Sequence, residues 1–210
     1  MESVTIALDA MGGDDAPQIV VAGANIARRR YPHVNFLLYG DKEEIEKLIS
    51  KHRGLKDYVE IYHTTEQVAA DDKPSQVIRS GRNTSMWLCL DAVKKGTASG
   101  AVSAGNTGAL MAMAMIQWKK LPGIDRPAIA SFFPTLRGET VMLDLGANIS
   151  CSARNLVQFA VMGEVYSRTI LGIEDPTLGL LNVGTEDTKG NVVLQEAADI
   201  IRSIDFPGEF

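Results

Sequence analysis

Short runs of β-branched and aliphatic residues alternate along the chain with longer stretches of helical pattern. Val4 to Leu8, Val34 to Tyr39, Val59 to Tyr62, Gly100 to Ser103, Val141 to Leu145 and Leu178 to Val183 read as strands. Several of them are apolar at nearly every position, the mark of strands covered on both faces. Between them the spacing predicts helices over Pro17 to Arg30, Lys42 to His52, Ser75 to Lys95, Thr107 to Lys120, Ala153 to Leu171 and Asn191 to Ile204. Pro17 suits a first helical turn, where its missing N–H costs little. Gly54, Gly96 and Gly172 stand where helices should stop. Strand–helix alternation implies right-handed crossovers. The expected fold is α/β, a three-layer α/β/α sandwich with a mostly parallel sheet, over residues 1–210 as a single domain.

Composition narrows the class. With 210 residues, 45% hydrophobic, the chain is long enough to bury a sizeable core and too apolar for disorder. A formal charge of −5 argues against non-specific nucleic-acid binding, which needs a basic face. Two cysteines, Cys89 and Cys151, in no CxxC pattern, point to a reducing cytoplasm rather than a disulfide scaffold or a zinc site. The longest apolar run, Ala109 to Ile116, is too short to span a bilayer. The segment after Met1-Glu2-Ser3 carries no basic leader, so no signal peptide is expected. Ile204 to Phe210 reads as the start of a further strand, so the chain is expected to be the N-terminal major part of a longer enzyme.

In parallel sheets ligands sit at the carboxyl ends of the strands, in the loops that follow. Four such loops are rich in glycine and small polar residues. They are 9–15 with Asp9, Gly12, Gly13 and Asp14; 103–108 with Ser103, Gly105, Asn106, Thr107 and Gly108; 144–148 with Asp144, Gly146 and Asn148; and 182–190 with Asn182, Gly184, Glu186, Asp187 and Lys189. Glycine lets main-chain N–H groups approach a ligand, and a helix starting near Thr107 adds a positive dipole end. Together these make an anion site without a cationic side chain, to which the Ser103, Asn106 and Thr107 side chains are expected to add donors. The alternative for Gly105 and Gly108 is a tight strand–helix turn and nothing more.

Other chemistries lose ground. Gly100 to Thr107 has P-loop spacing, with Asn106 where the lysine belongs. No two glycines are separated by one residue, so the dinucleotide fingerprint is missing. The sequences GxSxG and HExxH do not occur. His33, His52 and His63 cluster in the first third of the chain and read as surface residues. Cys89 and the stripe Met111, Met113, Met115 read as packing. The carboxylates of Asp9, Asp144, Glu186 and Asp187 suit either Mg²⁺ or the loop N–H groups, and the second role is the more economical. Lys189, the one lysine in these loops, offers a point charge to an oxyanion.

At the level of whole motifs the chain resembles the PlsX family of bacterial phosphate acyltransferases (acyl-ACP:phosphate acyltransferases). The resemblance rests on Ile6 to Asp14, Ser103 to Ala109, Arg126-Pro127-Ala128, Leu143 to Asn148 and Gly179 to Gly184, in order along the whole chain. It implies transfer of an acyl group from acyl-acyl-carrier-protein to inorganic phosphate in phospholipid synthesis, with no cofactor and no metal. It also implies a fold akin to phosphotransacetylases and isopropylmalate dehydrogenase. The expected setting is a cytoplasmic homodimer, with peripheral contact at the inner membrane face. Lys189 falls on a family lysine associated with catalysis, and Glu186 on the acid before it. Thr185 stands where many members carry an acid, and a later Gly-Asn-x-Glu-Gly segment has no counterpart here.

The chemistry agrees with the resemblance. Phosphate is already an anion near neutral pH, and a thiol of pKa about 8.5 leaves with little acid assistance. What remains is positioning, and donors aimed at the developing oxyanion. The rivals are a phosphotransacetylase acting on short acyl-CoA and a non-catalytic module that binds anions or acyl carriers. A dehydrogenase is third.

Overall fold

Four parallel strands bring the first two Gly-rich loops side by side. The computed structural model describes every residue except Met1, Glu2, Arg137, Thr185, Asp187, Thr188, Asp205, Pro207 and Gly208. It divides into two units, 1–119 and 120–210.

In the first unit, strands β1 (Val4–Asp9), β2 (Val34–Gly40), β3 (Val59–His63) and β4 (Gly100–Val102) form a sheet in the order β3-β2-β1-β4. All three pairings are parallel. Alternate residues face opposite layers. Leu8, Phe36 and Leu38 pack with Val21 and Ala24 of α1 (Gln18–Arg30) and Ile45 and Ile49 of α2 (Lys42–Ile49). Ala7, Leu37 and Tyr39 point the other way, onto Cys89 and Ala92. The expected three layers are there. Leu38 and Ile45 are fully buried, so truncating either to alanine is expected to cost ~2–5 kcal/mol.

The single helix expected over Ser75 to Lys95 is two: α3 (Pro74–Ser80) and α4 (Ser85–Lys94). Thr84 explains the break. Its hydroxyl accepts from the Trp87 N–H at 3.3 Å, capping α4, and donates to the Gly81 carbonyl at 2.7 Å. Next in the chain comes α5 (Thr107–Trp118), the Ala- and Met-rich helix. Met113 is fully buried against Val77, Met86 and Leu90, as the packing reading expected. At the far end of α5, Gln117 donates to the Trp87 carbonyl at 3.1 Å and Trp118 to that of Leu90 at 3.0 Å. These bonds tie α5 to α4.

The second unit departs from the sequence reading. The run Val141 to Leu145 is not a parallel strand. Its first residues end β6 (Gly138–Met142), which pairs antiparallel with β5 (Ser131–Thr135) as a hairpin. Leu178 to Val183 forms no strand, and among the described residues an isolated bridge joins the adjacent Thr177 to Glu209. Both runs are apolar enough for a strand, but hydrophobicity alone does not name a pairing partner. Helix α6 (Ala153–Leu171) has the expected bounds. Ser152 and Asn155 close a capping box at its start, and Gly172, at φ 68°, ends it. Helix α7 (Val192–Ser203) is capped by Asn191, whose side chain accepts from the Leu194 N–H. Among the described residues no helix is long and apolar enough to cross a membrane.

Candidate functional site

The strand order determines where a ligand site forms in the first unit. From β1 the chain steps outward to β2 and β3, then returns to place β4 on the other flank of β1. Crossovers on either side of that seam leave in opposite directions, which opens a crevice at the carboxyl ends of β1 and β4. Leu8 is in register with Val102, so Asp9 and Ser103 emerge at the same level.

They meet there. The Ser103 hydroxyl donates to Asp9 Oδ2 at 2.6 Å and accepts from the Gly105 N–H at 3.1 Å. Asp9 is 2% exposed, and its Oδ1 has no hydrogen-bond partner among the described residues. Gly12 lies directly over this pair. A Cβ on it would stand 2.5 Å from Asp9 Oδ2 and 2.7 Å from Ser103 Oγ, closer than atoms of those kinds approach. Only glycine fits. Gly13 follows at φ 104°, in left-handed backbone that also favours glycine.

Above the pair lies a cleft of about 680 Å³. Gly13, Asp14 and the 104–108 turn line one side of it, and Gln67 to Ala70 line the other. The turn leads into α5, whose first N–H groups have no partner within the helix. Thr107 and Gly108 carry two of them at the cleft edge, where the helix dipole favours an anion.

Asn106 organises this edge. Its Oδ1 accepts from the Ala109 N–H at 3.0 Å, capping α5. Its Nδ2 donates to the carbonyls of Ala70 and Asp72, both at 3.0 Å, and of Ala69 at 3.5 Å. The 64–73 segment was not among the four Gly-rich loops. The signal for it was positional, because it follows β3 and strand-end loops line such crevices. It is held further by Thr64, whose hydroxyl donates to the Asn83 carbonyl at 2.7 Å, and by Asp72, which accepts from the Ala69 N–H at 2.8 Å.

The other two loops belong to the second unit. Asp144 is a hub for N–H groups. Its Oδ1 accepts from Ile129 at 2.8 Å and Ala147 at 3.2 Å, and its Oδ2 from Asn148 N–H at 2.8 Å and Asn148 Nδ2 at 3.1 Å. Asn148 also donates to the Pro127 carbonyl at 2.9 Å. The Asp144 carboxylate therefore shapes a loop, the more economical of its two readings. Gly146 lies inside that loop at φ 90°.

In the 182–190 loop, Asn182 Nδ2 donates to the Lys189 carbonyl at 3.1 Å and Asn182 Oδ1 accepts from the Val183 N–H at 2.8 Å. The Lys189 N–H donates to the Glu186 carbonyl at 2.8 Å. Gly184 sits against the Lys189 stem, and Gly190, at φ 89°, stands beside Asn182. The side chains of Glu186 and Lys189 are exposed. Asp187 and Thr185 lie outside the described residues.

Of the histidines read as surface residues, His63 is exposed and His33 and His52 are half-buried. His63 Nδ1 accepts from the Lys42 N–H at 3.1 Å, and His52 Nδ1 lies 3.3 Å from Asn25 Nδ2. Burial, with Asp9 nearby, pushes the Cys89 thiol up to about 12, so it stays protonated and inert.

The first unit is thus an open parallel α/β sheet with a main-chain-lined cleft at its switch point. The chain belongs to the family described as "Fatty acid synthesis protein", whose model matches residues 4–209. It is 55% identical over 208 residues to a phosphate acyltransferase of Paramagnetospirillum magneticum, covering 99% of this chain and 59% of that protein. It is 61% identical over 202 residues to one of Rhodospirillum centenum, covering 96% and 57%. The chain thus spans less than two thirds of the length of these curated relatives. Among solved structures, EutD phosphotransacetylase from Staphylococcus aureus matches with a TM-score of 0.64 at 17% identity, over 99% of this chain and 67% of that one. That likeness bears on the fold, and it agrees with the expected phosphotransacetylase-like architecture.

Proposed function

We propose that the chain carries phosphate-binding and catalytic elements of an acyl-ACP:phosphate acyltransferase of phospholipid synthesis. Inorganic phosphate attacks the thioester carbonyl of acyl-acyl-carrier-protein. The carbon–sulfur bond breaks, and acyl phosphate and the free carrier thiol result. The observation that carries this reading is the cleft at the start of α5, edged by main-chain N–H groups of Thr107 and Gly108. The name shared by the relatives, phosphate acyltransferase, supports it.

In this reading Gly12, Gly13, Asp14 and Gly105 give phosphate room to approach the backbone. Asp9, Ser103 and Asn106 hold the turn, while Asp144, Gly146, Asn148, Asn182 and Gly184 shape the other loops. Lys189 polarises the thioester carbonyl or holds phosphate, with Glu186 beside it in sequence. The exposure of Lys189 suits a group that meets a macromolecular donor. Residues 1–210 are read as one α/β/α domain, and the working protein as a cytoplasmic homodimer that touches the inner membrane face, needs no cofactor and binds no nucleic acid.

Lys189→Ala, in the full-length protein, is expected to abolish acyl-phosphate formation while leaving thermal unfolding unchanged, because the side chain is exposed. Near-normal turnover would remove Lys189 from the mechanism. The likeness to a phosphotransacetylase fold favours one second reading, a short acyl-CoA donor. Assays with long-chain acyl-carrier protein and with acetyl-CoA as alternative donors decide between them.

A further inference from the structure

We propose that Asp9 is a positioning residue for the anion turn and acts through Ser103 rather than on the ligand. The inference rests on the phosphate-binding reading above and specifies how Ser103 holds the turn.

A serine hydroxyl has one proton and two lone pairs. Here the proton is committed: it lies on the 2.6 Å bond to Asp9 Oδ2, a charge-assisted contact to a carboxylate that is 2% exposed. With its proton aimed at Asp9, Ser103 turns a lone pair to the Gly105 N–H at 3.1 Å. Ser103 is therefore an acceptor for its own loop and not a donor to the anion. That leaves recognition to main-chain N–H groups further along the turn, whose direction follows from where Gly105 is held.

The packing supports the same reading. Gly12 closes over the pair with no room for a Cβ, and Gly105 approaches it so closely that its own Cβ would stand 3.3 Å from the Gly12 Cα. One buried carboxylate, one hydroxyl and one N–H thus join the loop after β1 to the loop after β4. Neither Asp9 nor Ser103 lines the cleft. The vacant Oδ1 gives the pair a further property. If Ser103 is lost, the buried carboxylate keeps neither oxygen paired, so removing its charge should then help the fold.

The test is a double-mutant cycle in the full-length protein with Ser103→Ala, Asp9→Asn and the combination. It is read by thermal unfolding and by calorimetric titration with inorganic phosphate. Ser103→Ala is expected to lower the unfolding temperature and weaken phosphate about tenfold, the scale of one hydrogen bond to a charged group. Asp9→Asn is expected to weaken phosphate severalfold when Ser103 is present and by less than twofold in the Ser103→Ala background, where it also raises the unfolding temperature. Additive effects on either readout would overturn the proposal. So would tighter phosphate binding on Asp9→Asn in both backgrounds, because the carboxylate would then act on the anion directly. If the unmutated protein bound no phosphate, the functional reading would fall. The unfolding arm would still decide whether the two residues act as one.

Discussion

Asp9 ends a strand, Asp144 follows one, and both adjoin Gly-rich loops, yet they solve different problems. Asp144 accepts four hydrogen bonds from N–H groups of its own neighbourhood, and its loop would not keep its shape without them. Asp9 accepts one, from a hydroxyl that lies 94 residues away in sequence. The first is a local brace with every lone-pair direction in use. The second is a long-range link under strict packing, with one oxygen left over. The units around them differ in the same sense. In the first, both faces of a parallel sheet are covered by buried side chains from α1, α2 and α4. In the second, the buried apolar residues Ala153, Phe159, Ala160, Ala197 and Ile201 all lie on α6 and α7, and the hairpin exposes Phe132 and Phe133. Bonds within short segments therefore matter more to the second unit, and side-chain packing more to the first.

Substitutions sharpen this contrast. Asp144→Ala is expected to have the largest effect, ~3 kcal/mol of local stability, because it leaves four part-buried N–H groups without their acceptor. Hydrogen exchange over 127–148 would register it, and unchanged protection there would break the contrast. Gly12→Ala follows, at ~1–3 kcal/mol, since the added methyl must displace Asp9 or Ser103. Gly23→Ala is its control. Nothing lies within 4 Å of the added Cβ, and the residue sits inside α1, so a gain of ~0.5–1 kcal/mol is expected. Thermal unfolding of both proteins must give shifts of opposite sign.

The pH dependence is smaller. Burial raises the Cys89 thiol from 9.0 to about 12 and the Tyr39 hydroxyl from 10.0 to about 12. For an acid kept neutral by burial, the unfolded chain releases its proton first. The contribution is constant below pH ~9, is lost as pH rises through the unfolded values, and levels off above about 12. A denaturant series between pH 8 and 11 should show stability falling, and a flat profile would contradict the burial. By the same logic a thiol reagent at pH 8 should modify Cys151 in the folded protein and reach Cys89 only on unfolding.

The parallel sheet was legible because its strands carry a local signature. Val4 to Leu8 and Val34 to Tyr39 are apolar on both faces and stand between helical patterns of ordinary length. The stop of α6 at Gly172 was equally plain, while its cap, Ser152, is evident from the structure. The second unit was less legible. Val141 to Leu145 looks like its predecessors in composition, but its partner is the preceding Ser131–Thr135, and the strand it belongs to opens on Gly138 at φ 126°. That partner contains Pro134, and a proline inside a run weakens its signature as a strand. The candidate site was legible as a set of Gly-rich loops. Which residues face ligand and which brace the loops was not, since Asn106 and Ser103 look like ligand donors until their own partners are known.

Asn106 makes two ends of one machine answer to a single amide. The same side chain that starts the helix also hangs the opposite wall of the cleft from it, through the carbonyls of Ala70 and Asp72. Drawing that wall away to admit a bulky guest means breaking those bonds and loosening the cap. Widening the entrance and fraying the first turn would be one motion, and a guest that settles on the exposed amides would hold both shut.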